Sequence, residues 1–328
     1  MSVRLFGETA EGEPVRAVRI AGGGLSAEFI EWGCVTRDLR LEGLDRSLVL
    51  GLATLRDYEA MAGGHVGAVA GRCANRISGA RFVLDGREHR LEENVPGATL
   101  HSGSAGFGRA LWRLEDHGAA HARFRIRQED GAGGFPGAIE AEAEYRLEDR
   151  ALLMVLTAQA GAPTLCNLAQ HSYFNLSGEA RIDDHRLTLA AGRLTPLGAD
   201  MCPTGDVRAV SPAEDFREGR LVGARSIDVN YVLAEAPRAE PASAARLEAG
   251  RVMLEVETTA PGLQVYTADG LGPALAAPGA VPPGPRAGLC LEAQLWPDAV
   301  NRPGFPSVVL RPGEVWRQKT RLRLSARG

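Results

Sequence analysis

The chain has 328 residues, 45% of them hydrophobic and 24% charged, with a net charge of -4 and a pI of about 6. That is the composition of a globular protein, long enough for two average domains or one large all-β domain. No uncharged apolar run reaches the 18 residues of a membrane span, and no basic tract offers a nucleic-acid surface.

Neither membrane nor nucleic acid is therefore an expected partner. The opening MSVRLFGETAEGEPVR lacks the apolar core of a secretory signal, so a cytoplasmic location is expected. Lys319 is the only lysine among 37 basic residues, and arginine is scattered along the chain, which reads as a GC-rich genome. Cysteines 34, 73, 166, 202 and 290 are odd in number and widely spaced. They form neither a zinc pattern nor a disulfide framework and are expected to be reduced and mostly buried. Cys73, Cys166 and Cys290 each lie beside a motif named below, but a nucleophilic role is a minor reading for all three.

In chain order, 53-ATLRDYEAM-61 has a short helical pattern. In 81-RFVLDGREHRL-91, Asp85-Gly86 between two short runs marks a hairpin. Segments 121–130 and 139–147 alternate apolar and charged residues as half-buried strands do. The acidic 140-EAEAE-144 is then the wet face of a strand. Glu148-Asp149-Arg150 turns the chain into a more buried strand over 151–160. A second short helical pattern covers 212–219, and 234–250 reads as a loop followed by a strand. The Pro- and Gly-rich 269–288 is either an interdomain linker or a long loop. Strand patterns of the same type on both sides favour the loop. Residues 320–326 alternate again, and no internal repeat is present. Strands far outnumber helices, which predicts an all-β protein of sheets packed face to face.

Five polar clusters break the alternation: 71–82, 100–108, 166–178, 226–233 and 291–301. Each mixes an ionisable residue with amides, aromatics or turn residues, a surface suited to a polyhydroxylated ligand. Read singly, the candidates are ambiguous. Glu292 could be a strand-edge carboxylate in an ion pair. His171 could be a core histidine bonded to a carbonyl. Gln264, Tyr173 and Ser172 have equally ordinary structural readings.

Three of these tracts, HSYFNLSG (171–178), LEAQLWPDAVN (291–301) and GRCANRISG (71–79), resemble the signature segments of aldose 1-epimerases, also called galactose mutarotases. PTGDV (203–207), DVNYVL (228–233), GLQVYT (262–267) and FPSVVLRPGE (305–314) extend the resemblance from about residue 20 to the C-terminus. It implies one domain over 1–328: a large antiparallel β-sandwich, the galactose mutarotase-like supersandwich, with a few short helices and an open sugar cleft. It also implies interconversion of the α and β anomers of an aldose such as galactose or glucose, with no metal or other cofactor.

By the same resemblance, Glu292 is the base that takes the C1 hydroxyl proton, and His171 is the acid at the ring oxygen. His101 is a second site histidine. Asn75, Arg76, Asp228 and Gln264 bind sugar hydroxyls, and Ser172 and Tyr173 border the pocket. Arg72 competes with Arg76 and is taken as structural. Asp298 and Asn301 shape the loop after Glu292. Thr99, Ser102 and Val229 depart from the family pattern beside proposed contacts, which leaves the choice of aldose open, pentoses included. Three alternatives stand beside this reading: an epimerase of a phosphorylated hexose, a non-catalytic carbohydrate-binding module on the same fold, and a glycosidase. The expected partner is a small sugar, with the protein a monomer or homodimer.

Overall fold

A computed structural model describes residues 2–272 and 281–327. Among them, three antiparallel sheets make up most of the structure, of four, nine and six strands. The four-stranded sheet is a meander of Ser2–Glu8, Pro14–Gly22, Leu25–Ile30 and Val35–Leu41. The nine-stranded sheet has at its centre Ile139–Glu148, Ala151–Ala160, Trp316–Ala326 and Val252–Thr258. The six-stranded sheet includes Tyr173–Phe174, Leu289–Gln294, Gly262–Tyr266 and Asp228–Val232 as successive neighbours.

The alternation read from the sequence is the packing pattern. In Ile139–Glu148, Ile139, Ala141, Ala143, Tyr145 and Leu147 are buried in the largest apolar cluster. That cluster also takes in Phe29 of the four-stranded sheet and Leu263, Val265, Leu289 and Leu291 of the six-stranded one. One core thus joins all three sheets. The acidic residues between those apolar ones form the wet face. Glu142 pairs with Arg125 across the sheet at 2.7 Å, and Glu144 sits opposite Arg123.

Most predicted elements are present. The hairpin is Arg81–Leu84 with Arg87–Arg90. Asp85 and Gly86 between them both have positive φ, +49° and +78°, as a two-residue turn of that hand requires. The first helix is Leu55–Ala60, capped reciprocally by Thr54 and Asp57. The final strand begins earlier than predicted, at Trp316. The loop over 234–250 ends in the strand Ala242–Ala249.

The predicted helix at 212–219 is absent; the segment is a series of turns. Local side chains capture the backbone that a helix would need. Glu214 accepts from the N–H of Ser211, and Asp215 accepts from the N–H of Arg217. Phe216 is buried in the main core.

Segment 269–288 connects Gly262–Tyr266 to Leu289–Gln294, two strands paired in one sheet, so it is a loop and not a linker. Its residues 273–280 lie outside the described ones. No helix among the described residues is long and apolar enough to cross a membrane.

All five cysteines are buried and unpaired. Burial raises every thiol, Cys73 to about 12 and Cys202 to about 11, so none is a ready thiolate nucleophile.

Candidate active site

One face of the six-stranded sheet gathers the polar residues, and the cause is period two. Register aligns Tyr173 with Cys290, Cys290 with Tyr266, and Tyr266 with Asp228. It also aligns Glu292 with Gln264 and Gln264 with Asn230. Directly paired residues share a face, so Tyr173, Cys290, Glu292, Gln264, Tyr266 and Asp228 lie together. Leu289, Leu291, Ala293, Val265 and Leu263 take the other face and enter the main core.

That polar face floors a cavity of about 560 Å³. Asn75, Arg76, His101, His171, Tyr173, Asp228, Gln264 and Glu292 all line it. Residues drawn from stretches more than two hundred positions apart therefore meet in one place. Ser172 is the exception among the predicted site residues. It lies on the opposite side from His171 and Tyr173 and faces a small interior cavity with Phe174, Met154 and Leu156.

Thr99, Ser102 and Val229 do not line the cavity either, contrary to the bearing on ligand choice expected of them. Val229 packs against the main core. The Thr99 hydroxyl donates to the carbonyl of Glu92 at 2.7 Å. The Ser102 hydroxyl accepts from the N–H of Cys73 at 2.9 Å.

At the centre, His171 Nε2 lies 3.6 Å from Glu292 Oε2, with the two side chains 6% and 2% exposed. Among the described residues, Glu292 Oε2 has no hydrogen-bond partner. Burial, reinforced by the charge of Asp228, pushes the Glu292 carboxyl well above the usual carboxylate range. Burial pushes the His171 imidazole down to about 4. Either charge alone is costly here, so the pair keeps one proton between its two members over a wide pH range.

His101 is held differently. Its Nδ1 accepts from the backbone N–H of Asn75 at 3.1 Å, and its own backbone N–H donates to the Asn75 carbonyl at 3.0 Å. Burial keeps it neutral, far below its ordinary range. A neutral ring whose Nδ1 accepts carries its proton on Nε2. Nitrogen or oxygen atoms of His101, His171 and Glu292 come within 4.8 Å of one another, the composition of a three-ligand metal site. With Nδ1 occupied, His101 has a proton and not a lone pair left to present, so the trio is poorly suited to a metal.

Gln264 Nε2 donates to Asp228 Oδ1 at 2.6 Å, which orients a carboxylate that burial raises. Asp298 and Asn301 fill the loop role expected of them. Asp298 accepts from the N–H of Ser78, and Asn301 donates to the carbonyls of Ser78 and Arg81. The loop after Glu292 is thereby fastened to the strand Arg76–Ser78 that carries Arg76.

Sequence reading missed two neighbours. Tyr266 lines the cavity, two residues beyond Gln264 on the same face. His65 is buried behind it, its ring 4.5 Å from that of His101 and 6.1 Å from that of His171. Burial pushes it down to about 3, so it stays uncharged.

The orphaned Glu292 oxygen has a measurable cost. The folded-state pKa lies above the unfolded value, so the carboxyl is tolerated when protonated and penalises the fold increasingly as pH rises past the ordinary carboxylate range. Glu292→Gln is expected to be more stable than the wild type by about 2 kcal/mol at neutral pH. The gain should shrink towards pH ~4, where the unfolded-state carboxyl takes up its proton. Thermal unfolding across that range checks this; a pH-independent difference would refute it.

Comparisons with known proteins agree with this architecture. The family described as aldose 1-epimerase matches residues 16–323. The galactose mutarotase of Mus musculus is 36% identical over 336 residues, covering 98% of this chain and 97% of its own. The aldose 1-epimerase of Escherichia coli (strain K12) is 29% identical over 331 residues, covering 94% and 95%. A crystal structure of an aldose epimerase homologue from C. elegans superposes with a TM-score of 0.88 at 26% identity, covering 95% of this chain and 99% of that one. Sheet order, core and shared sequence lead to one conclusion: this chain belongs to the aldose 1-epimerase family and is an isomerase.

Proposed function

We propose that the protein interconverts the α and β anomers of a free aldose, galactose or glucose by default, with Glu292 as base and His171 as acid. The observation that carries this reading is the buried His171–Glu292 pair, 3.6 Å apart and facing the cavity. The two reacting oxygens of a cyclic aldose, the C1 hydroxyl and the ring oxygen, are bonded to the same carbon. One acid and one base set close together can serve both. Glu292 takes the hydroxyl proton while His171 gives a proton to the ring oxygen, and the C1–ring oxygen bond breaks. The open aldehyde turns about its C1–C2 bond. Glu292 then returns a proton to the carbonyl oxygen as His171 removes one from the C5 hydroxyl, and the ring closes on its other face. Proton count is conserved at each step, so no metal or redox cofactor is called for.

Arg76, Asn75, Asp228 and Gln264 are placed to hold the remaining hydroxyls, and the His101 Nε2–H is a donor for charge developing on oxygen. Among the described residues that line the cavity, Arg76 is the one arginine or lysine, set against Asp228 and Glu292. That balance suits a neutral sugar better than a phosphorylated one.

The test is anomer exchange followed by polarimetry or NMR across several aldoses; no acceleration over buffer for any of them would sink the reading. The pH profile supplies a second check. The pair carries one proton, held by Glu292 at rest; the reacting form has that proton on His171 Nε2 and Glu292 ionised. The rate constant kcat/KM should fall on the acid side as the pair takes a second proton near His171's value of about 4. It should fall on the alkaline side only above the raised Glu292 carboxyl. A profile governed by an ordinary histidine, halving near pH ~6.5, would contradict this arrangement.

A further inference from the structure

We propose that Cys290 is a positioning residue: its sulfur holds the Nδ1–H of His171, leaving Nε2 as the nitrogen that exchanges a proton beside Glu292. The inference rests on the reading of His171 as the acid. Cys290 Sγ lies 3.5 Å from His171 Nδ1, while Nε2 faces Glu292 Oε2 at 3.6 Å. Cys290 and Glu292 stand two residues apart on the strand Leu289–Gln294, on the same face, so one strand addresses both nitrogens of one ring.

Aromatic packing cannot do this alone. The Tyr173 ring stacks on His171 at 5.0 Å and 29°, and His65 lies at 6.1 Å and 25°. These contacts fix the plane of the imidazole. They leave open a half-turn about the Cβ–Cγ bond, which would exchange nitrogen for carbon at both edges. The sulfur distinguishes the two orientations. Cys290 is fully buried, and burial keeps it a neutral thiol. The tautomer is set by the bond that the other nitrogen makes, so Nε2 is left to accept and return the proton. His101 has the reverse tautomer and serves as a fixed donor.

The titratable groups around His171 are few. Glu292 and Cys290 face it from their strand, and Tyr266 from the next, with Asp228 beyond. Tyr173, His65 and His101 complete the shell. Burial keeps both histidines neutral and both tyrosines protonated, Tyr266 up to about 12. A change in the acid limb on altering Cys290 therefore reports on the His171–Glu292 pair.

The experiment compares wild type, Cys290→Ala, Cys290→Ser and His171→Asn. Cys290→Ala is expected to lower kcat about tenfold with KM nearly unchanged, as loss of a partner that orients a working histidine does. Its acid limb should move. Nitrogen-15 NMR of His171 should show Nδ1–H in the wild type and a tautomer mixture in Cys290→Ala. Cys290→Ser, which keeps an acceptor, should recover most of the rate and the Nδ1–H signal. A Cys290→Ala protein with wild-type kcat, pH profile and tautomer would overturn the proposal. So would a serine variant as impaired as the alanine one, since packing volume would then be the cause. If His171→Asn kept the wild-type rate, the acid assignment would fail instead, and the NMR signal would still report separately whether Cys290 sets the tautomer.

Discussion

Glu292→Gln and His171→Asn are each expected to lower kcat by about a thousandfold, a loss of about 4 kcal/mol of transition-state stabilisation. The reason is geometric as well as chemical. Among the described residues Glu292 Oε2 has no hydrogen-bond partner, and the side chain is 2% exposed, so nothing competes for the oxygen that would take the proton. In the proposed mechanism His171 and Glu292 act on two oxygens of one carbon within a single bond-breaking step. Removing either leaves the other without its counterpart. The double variant should therefore be little worse than the poorer single one, as expected for groups that act as a unit. KM should change much less than kcat, because Arg76, Asp228 and Gln264 remain. Progress curves from pure anomers, followed by polarimetry, give both constants. Single variants with wild-type kcat would remove the assigned roles while leaving the family membership intact.

The second large effect concerns Arg72, four residues before Arg76 and wholly different in use. Arg72 has no exposed surface. Its Nη1 donates to the carbonyls of Pro136 and Gly137 and to the Thr164 hydroxyl, and its Nη2 reaches the Glu129 carbonyl. Its guanidinium also lies 5.5 Å from the centre of the Phe135 ring. Burial depresses its pKa to about 10, so it remains charged at neutral pH and is compensated by carbonyl dipoles.

Arg72→Met would leave those buried acceptors unpaired, and about 3–5 kcal/mol of stability should be lost. Arg72→Lys should recover only part of it, since one ammonium cannot reproduce a planar fork of donors. The midpoint of urea unfolding measures both. A loss below ~1 kcal/mol for the methionine variant would show that the carbonyls find other partners. Arg72 and Arg76 thus separate cleanly: one holds the fold, and the other faces the cavity.

The alternating strands at 121–130, 139–147 and 320–326 were legible because each has one face in the core and one turned towards water. Asp85-Gly86 was legible because few residue pairs accept two consecutive positive φ values. The segment 212–219 was not, since Glu214 and Asp215 bond to nearby backbone and displace the helix that its spacing suggested. Within the site, the motifs identified the residues that meet in the cavity, but motif membership says nothing about which way a side chain points. Ser172 and Val229 sit inside the motif tracts and face the interior, which alternation from His171 and Asp228 would have shown. The same alternation from Gln264 leads to Tyr266. His65 was hidden for another reason. It stands among small residues in AGGHVG, where nothing local marks it as polar machinery.

The strand Leu289–Gln294 is buried at all six positions. Leu289, Leu291 and Ala293 fill the main core, and Cys290 and Glu292 face the cavity side. Such a strand has no spare phase. Inserting or deleting one residue before it would drive a carboxylate into the apolar core and a leucine into the cavity in the same stroke. Length changes in this protein must therefore be absorbed outside those six residues. The strand itself can be altered only one side chain at a time.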